Sequence, residues 1–294
     1  MFAFGEIAAL ISSFLWGNSG VLLKSLPVKT RLSFIFLECL ISGAIIISLL
    51  FIFKGWAEFN NFSFSTYAIG SLAALINFSG SVSYIYTIKH VKVGMAFVVI
   101  NSLFPLFSIV GSILFLNQSL SFPIYAGAVL ILIGISVITF RRGASFSFIE
   151  TGSTIKIALI FCTLTPLCWA TGALIMDRLL ESHGVLSMTL VRACTTFVAC
   201  TVLTLVVRKI NFLGIFNSKE KKNKLIFASF LTTGAMLGWF TSLSLSEAAL
   251  TVILGSSAPI FAVIGARIFL KEKISKSGLT GIIICALGVL IVII

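Results

Sequence analysis

The chain of 294 residues is strongly apolar: 59% of its residues are hydrophobic, 10% are charged, and its mean hydropathy is +1.15. Soluble domains carry roughly 45–50% apolar and about 25% charged residues, so the composition argues against a soluble enzyme or a DNA-binding domain. The net charge of +12 would suggest a nucleic-acid partner in a soluble protein, but here the basic residues lie in short gaps between apolar runs. That pattern is typical of a multispanning membrane protein, so we expect a lipid bilayer around the chain and no nucleic acid.

Ten apolar segments are long enough to cross a bilayer as helices, since a hydrocarbon core of about 30 Å requires roughly 20 apolar residues. In chain order they are 5–23, 33–53, 66–88, 93–116, 121–140, 155–176, 185–207, 224–243, 248–270 and 275–294. The segments are continuous rather than alternating, and the backbone of an open sheet would stay unpaired in lipid. We therefore predict an all-α membrane protein with ten transmembrane helices.

The connections between these segments differ sharply in charge. Those that follow the odd-numbered segments carry about 17 of the 21 basic residues, whereas the opposite side carries Lys54 and Arg178. Because positively charged connections stay in the cytoplasm, this bias predicts that both termini lie outside it. The two longest connections, around 54–65 and 208–223, are too short for a soluble domain.

The N-terminus and the cysteines give no sign of processing or metal binding. The first apolar run lacks the basic region of a secretory signal and is as long as a full span, so we interpret 5–23 as a transmembrane helix. All six cysteines lie within apolar runs, none forms a C-x-x-C pair, and the chain has two histidines. Zinc and iron–sulfur sites need clustered Cys and His. We therefore interpret the cysteines as packing residues and expect no metal and no cofactor.

The two halves of the chain resemble each other at an offset of about 153–154 residues. SSFLWGNSGVLLKS in the first half matches TPLCWATGALIMDR in the second, with Trp16 on Trp169. The ends of the halves match most clearly, with Pro105 on Pro259 and several glycines in register. Shared Trp, Pro and Gly carry more information than shared Leu or Ile in so apolar a chain. The pattern predicts an internal repeat.

We predict two five-helix repeats, 1–145 and 150–294. Because five is an odd number, the second repeat enters the membrane from the side opposite the first, and the two are inverted relative to each other. Inverted repeats can enclose a cavity that opens to either side in turn. This is a physical reason to expect a carrier.

The motifs resemble the drug/metabolite transporter superfamily, specifically its EamA-type branch with ten helices. The resemblance covers nearly the whole chain, and its most specific parts are LWGNS at 15–19 and the stretch 244–293, with a Pro in the ninth helix and glycines seven residues apart in the tenth. It implies a central cavity lined mainly by helices 1, 3, 4, 6, 8 and 9, and secondary transport of small organic molecules. It also implies cytoplasmic termini, opposite to the charge bias, so the orientation stays open at this point.

Aromatic and polar side chains deep within the predicted spans are candidates for a substrate site. Interfacial tryptophans belong near helix ends, so the deep Trp16, Trp169 and Trp239, with polar neighbours, predict an amphipathic pocket. Packing between helices is the alternative for each of them. The candidate substrate-binding residues are Trp16, Asn18, Asn77, Tyr84, Asn101, Ser102, Thr165, Trp169, Thr171, Trp239, Ser242, Ser256 and Ser257.

Three prolines lie deep in predicted spans: Pro105, Pro166 and Pro259. A proline removes a backbone donor and frees a carbonyl one turn earlier, which must find another partner in a membrane. We expect kinked segments that line the cavity and take part in gating. The alternative is that the kinks only shape the bundle.

Glu38 and Arg192 are candidates for coupling or gating, because a charge within a span costs from about 2.5 kcal/mol upward and usually faces a cavity or a partner. They occupy equivalent positions in the two repeats. The resemblance implies an Arg near the start of both helices 2 and 7, and Glu38 departs from that pattern. One hypothesis is that Glu38 carries protons that drive transport. The alternative is that its carboxylate simply reaches the lipid headgroups.

The favoured function is a secondary carrier in a bacterial inner membrane that exports a small organic metabolite, an amino acid or a related amphipathic compound, by alternating access. Its partners would be that substrate, the lipid bilayer and, as candidates for coupling, protons. The alternatives are an exporter of drugs or lipid-linked substrates and, from another class, a non-transporting membrane sensor or assembly subunit. We do not expect an enzyme, because H-E-x-x-H, G-x-S-x-G, P-loop and G-x-G-x-x-G motifs are absent.

Overall fold

A computed structural model describes residues 4–24, 28–90, 93–139, 155–207, 219–269 and 276–293. Within these ranges the chain is helical and contains no strand. The helices are α1 (Phe4–Lys24), α2 (Val28–Ile52), α3 (Phe64–His90), α4 (Val93–Leu116), α5 (Phe122–Thr139), α6 (Ile155–Leu180), α7 (Val185–Val207), α8 (Lys219–Leu245), α9 (Ala248–Gly255), α10 (Ala258–Phe269) and α11 (Lys276–Ile293). A short 3-10 helix, Gly55–Asn61, lies between α2 and α3.

Several stretches of the described chain are long and apolar enough to cross a membrane. There are seven: Phe4–Leu23, Phe34–Ile52, Val99–Leu116, Leu159–Leu180, Val185–Val206, Lys222–Leu245 and Ala248–Gly265. Phe122–Val137 and Leu279–Ile293 are shorter apolar helices. The all-helical prediction is confirmed. Each predicted segment coincides with one helix except 248–270, which the structure divides.

The division of 248–270 into α9 and α10 corrects the prediction of one continuous helix. Two serines lie at the break: the Ser256 hydroxyl donates to the Val252 carbonyl at 2.9 Å, and the Ser257 hydroxyl donates to the Leu254 carbonyl at 2.6 Å. The same two carbonyls also accept the backbone N–H groups of Ser256 and Ser257, at 2.9 and 3.1 Å, so each serine closes the end of α9 with its backbone and its hydroxyl. Pro259 is the second residue of α10, where the missing N–H is tolerated.

The other two deep prolines do not interrupt their helices. Pro105 lies within α4 and Pro166 within α6, and both helices continue past them. A proline in a span is therefore compatible with a continuous helix as well as with a break in this protein.

Helices from the two halves of the chain pack on each other in antiparallel pairs. Gly127 of α5 faces Gly288 of α11, whereas Gly134 of α5 faces Gly281. Because the later residue of α5 meets the earlier residue of α11, the two helices run in opposite directions. The absence of side chains on these glycines lets the two backbones approach closely.

The same relation governs the packing around the centre of the bundle. Helix α1 packs along α8, and α6 packs along α3. In both pairs the first helix of one half packs on the third helix of the other half. Ser12 donates to the Ala235 carbonyl at 2.7 Å, and Thr232 donates to the Ser19 hydroxyl at 3.0 Å, so α1 and α8 are also antiparallel.

Within the described ranges, the buried apolar residues form several clusters between these helix pairs. One joins α3, α6, α7 and α8 through Ala73, Met176, Met188 and Phe240. Another joins α1, α5, α9 and α11 through residues such as Ile131. Large apolar side chains also cover much of the outer surface. An apolar exterior of this extent suits contact with lipid tails.

Candidate functional site

A cavity of about 140 Å³ lies among α1, α3, α4, α6 and α8, with contributions from α7 and from the break between α9 and α10. Five of the thirteen predicted substrate-binding side chains meet at its wall: Trp16, Asn77, Asn101, Trp169 and Trp239. They come from five different helices. The helix packing therefore brings together residues far apart in sequence.

An aromatic group forms one side of the wall. Phe104 lies between two tryptophans: its ring centroid is 6.2 Å from that of Trp169, edge to face, and 6.1 Å from that of Trp239, in a stacked arrangement. The Trp169 indole N–H donates to the Ser81 hydroxyl at 3.4 Å. Such rings offer a broad apolar surface together with polarised faces that attract aromatic or cationic groups.

The polar part of the wall combines amides and hydroxyls. Asn77 and Asn101 bring carboxamides from α3 and α4, each of which can donate and accept hydrogen bonds. Ser12 and Ser13 also line the cavity, but both hydroxyls donate to backbone carbonyls, that of Ser13 to Ala9 at 2.9 Å. The Asn77 amide is therefore better suited than these serines to donate to a bound molecule.

A buried ion pair lies at the boundary between this cavity and a smaller one of about 70 Å³. Arg192 lines both cavities, whereas Glu38 lines the smaller one. The Arg192 Nη2 donates to the Glu38 Oε1 at 2.9 Å, and the two side chains are 8% and 5% exposed. The alternative in which Glu38 extends to the headgroups is therefore wrong, because its carboxylate is enclosed and paired.

The two charged residues are separated by 154 positions, which is the offset of the internal repeat. The same separation joins Cys285 to the Ile131 carbonyl at 3.3 Å. Contacts between equivalent positions are expected where two related halves meet around a common axis. The ion pair therefore joins the halves as well as bordering the cavities.

The structure does not bring the other eight predicted binding residues to the cavity wall. The Asn18 amide donates to the Phe14 carbonyl of its own helix at 2.7 Å, and Thr165 donates to the Phe161 carbonyl at 2.9 Å. Ser242 is bonded to Thr251 at 2.8 Å. These polar groups form their hydrogen bonds within the protein, as buried polar groups usually do.

The remaining five predicted binding residues also lie outside the cavity wall. They are Tyr84, which packs on Trp169; Ser256 and Ser257, at the helix break; and Ser102 and Thr171, which are half-buried.

The three prolines are buried but do not line the cavity themselves. Pro105 follows Phe104, and Pro259 follows Ala258, and both preceding residues are in the wall. Any influence of these prolines on the site therefore acts through the position of a neighbour.

The sequence-based prediction missed several wall residues, notably Ser81, Phe104 and Met236. Each lies one helical turn from a residue that was predicted: Ser81 from Asn77, Phe104 from Asn101 and Met236 from Trp239. Residues three or four apart share a helix face. That spacing is the signal that would have found them.

Comparison with known proteins identifies the fold and its family. The EamA-like transporter family matches the chain twice, over residues 3–140 and 156–294. The chain belongs to the EamA-like transporter family. This EamA-like protein is therefore a multipass membrane transporter, which acts on a small molecule within a lipid bilayer, and its predicted membership of the drug/metabolite transporter superfamily is confirmed.

Two further comparisons, one of sequence and one of fold, agree with this assignment. An uncharacterized transporter from Archaeoglobus fulgidus is 27% identical over 225 residues, which are 75% of this chain and 73% of the relative. A protein of known crystal structure shares the fold with a TM-score of 0.78 and 15% sequence identity, over 99% of this chain and 96% of its own. At that identity the likeness concerns the fold alone.

Proposed function

We propose that this EamA-like protein is a secondary carrier that exports a small amphipathic metabolite, an amino acid or a related compound, by alternating access. The observation that carries the proposal is the central cavity, whose wall combines three tryptophans, two amides and one guanidinium. Sites for drug-sized ligands usually measure roughly 300–1,000 Å³, so a cavity of about 140 Å³ favours a smaller compound over a drug.

The architecture we propose for this mechanism is ten spans in two inverted five-helix units, 1–145 and 150–294, in the bacterial inner membrane. The antiparallel packing of α5 on α11 supports this arrangement, because these are the last helices of the two units. The break between α9 and α10 supports it as well. Interrupted helices often border the substrate site of secondary transporters, and here Gly255 and Ala258 flank the break and line the cavity.

We further propose that Glu38 and Arg192 form a gate between the two cavities and that protons are the coupling partner to test first. Arg192 lines both cavities and Glu38 lines the smaller one, so loss of their bond would alter the boundary between the cavities. If transport by Glu38→Gln depended on a pH gradient as the wild type does, coupling through Glu38 would be refuted.

The direct test of transport is counterflow in proteoliposomes loaded with a mixed pool of unlabelled metabolites. Accumulation of one labelled compound against these pools supports a carrier, whereas the absence of accumulation for every compound contradicts it. Trp16→Ala and Trp239→Ala should lower the rate without loss of protein from the membrane. Trp56→Ala is the matched control, because Trp56 lies on the 3-10 helix and outside the cavity.

A further inference from the structure

We propose that Arg192 binds a carboxylate of the substrate, so that the cavity selects compounds in which a carboxylate is joined to an aromatic or apolar body. The inference rests on the transport function proposed above and names the chemical group that the site recognises. Four observations support it: the charge of the wall, the incomplete pairing of Arg192, the position of Glu38, and the surrounding rings.

The formal charge that reaches the larger cavity is positive, and the carboxylate that balances it lies on the side of the smaller cavity. Among the described side chains that line the larger cavity, Arg192 is the one with a formal charge. Its partner Glu38 belongs to the wall of the smaller cavity instead. A molecule in the larger cavity therefore meets a guanidinium and no carboxylate of the wall. A guanidinium matches the planar geometry of a carboxylate and repels an ammonium group.

The pairing of Arg192 is incomplete. A guanidinium carries five N–H donors, and the Glu38 bond at 2.9 Å uses one of them through Nη2. The Nε of Arg192 is buried and has no hydrogen-bond partner. Buried donors are nearly always paired, so an unpaired one beside a cavity indicates a place for a further acceptor.

A substrate carboxylate would compete with Glu38 for the guanidinium. Because Nε is shielded, the guanidinium must turn towards the larger cavity before Nε and Nη2 can bind two oxygens together. That turn weakens the bond to Glu38 and thereby the contact between α2 and α7. Substrate binding would then loosen the boundary between the two cavities.

The remaining wall fits the rest of such a molecule. Trp16, Trp169 and Trp239, with Phe104, provide apolar surface for an aromatic or branched body. Asn77 lines both cavities and can bind an amino or hydroxyl group next to the carboxylate. Amino acids and other organic acids therefore fit, whereas simple amines do not.

The test compares probes of one shape and different charge, using purified protein in lipid nanodiscs. Hydrocinnamate carries a carboxylate, hydrocinnamide carries a neutral amide in its place, and phenylpropylamine carries an ammonium. Binding is measured by quenching of tryptophan fluorescence. We expect hydrocinnamate to bind about tenfold more tightly than hydrocinnamide, since hydrogen bonds to a charged group are the stronger ones, and the amine to bind most weakly. Equal affinities, the reverse order, or no binding of hydrocinnamate overturns the inference.

Three variants test whether Arg192 is the residue that causes the preference for a carboxylate. Arg192→Gln should lower the affinity for hydrocinnamate to that for hydrocinnamide. Because this single change leaves Glu38 buried without its partner and can impair folding, the double variant Glu38→Gln, Arg192→Gln removes both charges and should bind the two probes equally. Arg178→Gln, in an exposed pair with Glu181, should keep the wild-type preference. A double variant that still prefers the carboxylate refutes the role of Arg192.

Glu38→Gln alone provides a readout that a purely structural pair would not give. The substitution removes the carboxylate that competes with the substrate and leaves Arg192 without a counter-charge. The variant should therefore unfold at a lower temperature than the wild type. Hydrocinnamate should raise the unfolding temperature of the variant, whereas hydrocinnamide should not. Equal effects of the two probes would contradict the proposal.

Counterflow with the same probes separates this inference from the transport function. If hydrocinnamate binds through Arg192 but is not moved, and no metabolite in the pool is moved, the transport proposal fails and the binding site remains. If neutral or cationic compounds are moved equally well by wild type and the double variant, the transport proposal holds and the inference about Arg192 fails.

Discussion

Gly80 of α3 lies directly behind the indole of Trp169. A Cβ atom at position 80 would be 2.7 Å from Trp169 Cδ1, closer than real contacts allow, and 3.0 Å from Nε1. The other tryptophan near Phe104 has a similar support, because a Cβ at Gly255 would be 2.5 Å from Cζ3 of Trp239. The positions of both rings in the cavity wall thus depend on the lack of a side chain behind them.

Gly80→Ala should therefore displace Trp169 and weaken binding in the cavity. The added methyl group cannot fit unless the ring moves, and overpacking of this kind costs about 1–3 kcal/mol. We expect the affinity for hydrocinnamate, or for whichever compound counterflow identifies, to fall by about tenfold. Fluorescence titration measures the change.

Gly43→Ala is the matched control for Gly80→Ala. Gly43 lies in the middle of α2, and a Cβ there would have nothing within 4 Å. Alanine is about 0.5–1 kcal/mol more favourable than glycine inside a helix, so this variant should be as stable as the wild type or more so, with unchanged affinity. Equal affinities of the two variants would contradict the proposed support of Trp169.

Gly134→Ala, in contrast to Gly80→Ala, should lower the stability of the protein and leave the affinity of the cavity unchanged. A Cβ at Gly134 would be 2.7 Å from both the Cys285 nitrogen and the Gly281 carbonyl oxygen, so α5 and α11 would have to separate. Neither helix lines the cavity. Thermal unfolding in detergent should show a loss of about 1–3 kcal/mol, while probe titration should give the wild-type value. A lower affinity without a change in stability would show that this interface affects the site directly.

The helices could be predicted because membrane-spanning segments are visible in composition alone. The faces that the helices turn inward could not, since lipid and protein interior are both apolar and the hydrophobic pattern does not distinguish them. Depth and rarity in the sequence pointed to Trp16 and Trp169, which line the cavity, but gave no means of telling which hydroxyl residues line it. Thr165 can satisfy a carbonyl of its own helix as readily as it can bind a substrate.

The break in 248–270 and the ion pair depend on tertiary contacts. Pro105, Pro166 and Pro259 look alike in sequence, and of the three only Pro259 lies at a break. There the Gly255 carbonyl, one turn before the proline, accepts a hydrogen bond from the Ser13 hydroxyl of α1 at 3.2 Å. The equivalence of Glu38 and Arg192 followed from the repeat offset. Their contact did not, because it requires α2 and α7 to meet where the halves join.

Glu58→Ala should destabilise the protein although Glu58 lies outside the cavity. Its carboxylate, on the 3-10 helix, accepts hydrogen bonds from the Gly184 backbone N–H and the Ser187 hydroxyl at the start of α7. Charged hydrogen bonds of this kind contribute about 1.5–3 kcal/mol, and a negative charge suits a helix N-terminus. We expect a loss in that range in thermal unfolding.

Glu181→Ala is the control for Glu58→Ala. Glu181 pairs with Arg178 at 3.0 Å, but both side chains are exposed, and such pairs contribute about 0–1 kcal/mol. If the two alanine variants unfold at the same temperature, the contact between Glu58 and α7 does not stabilise the fold.

The orientation in the membrane can be decided by labelling Lys54→Cys and Lys222→Cys in a cysteine-free background. Both native side chains are exposed and lie at opposite ends of the bundle, after α2 and at the start of α8. The basic residues concentrate at the Lys222 end, so the charge bias predicts that this end faces the cytoplasm. An impermeant maleimide added to intact cells should then label Lys54→Cys, and it should label Lys222→Cys only after permeabilisation. The reverse pattern would place the termini in the cytoplasm, as the family resemblance implies. It would also show that the charge bias does not set the orientation of this chain.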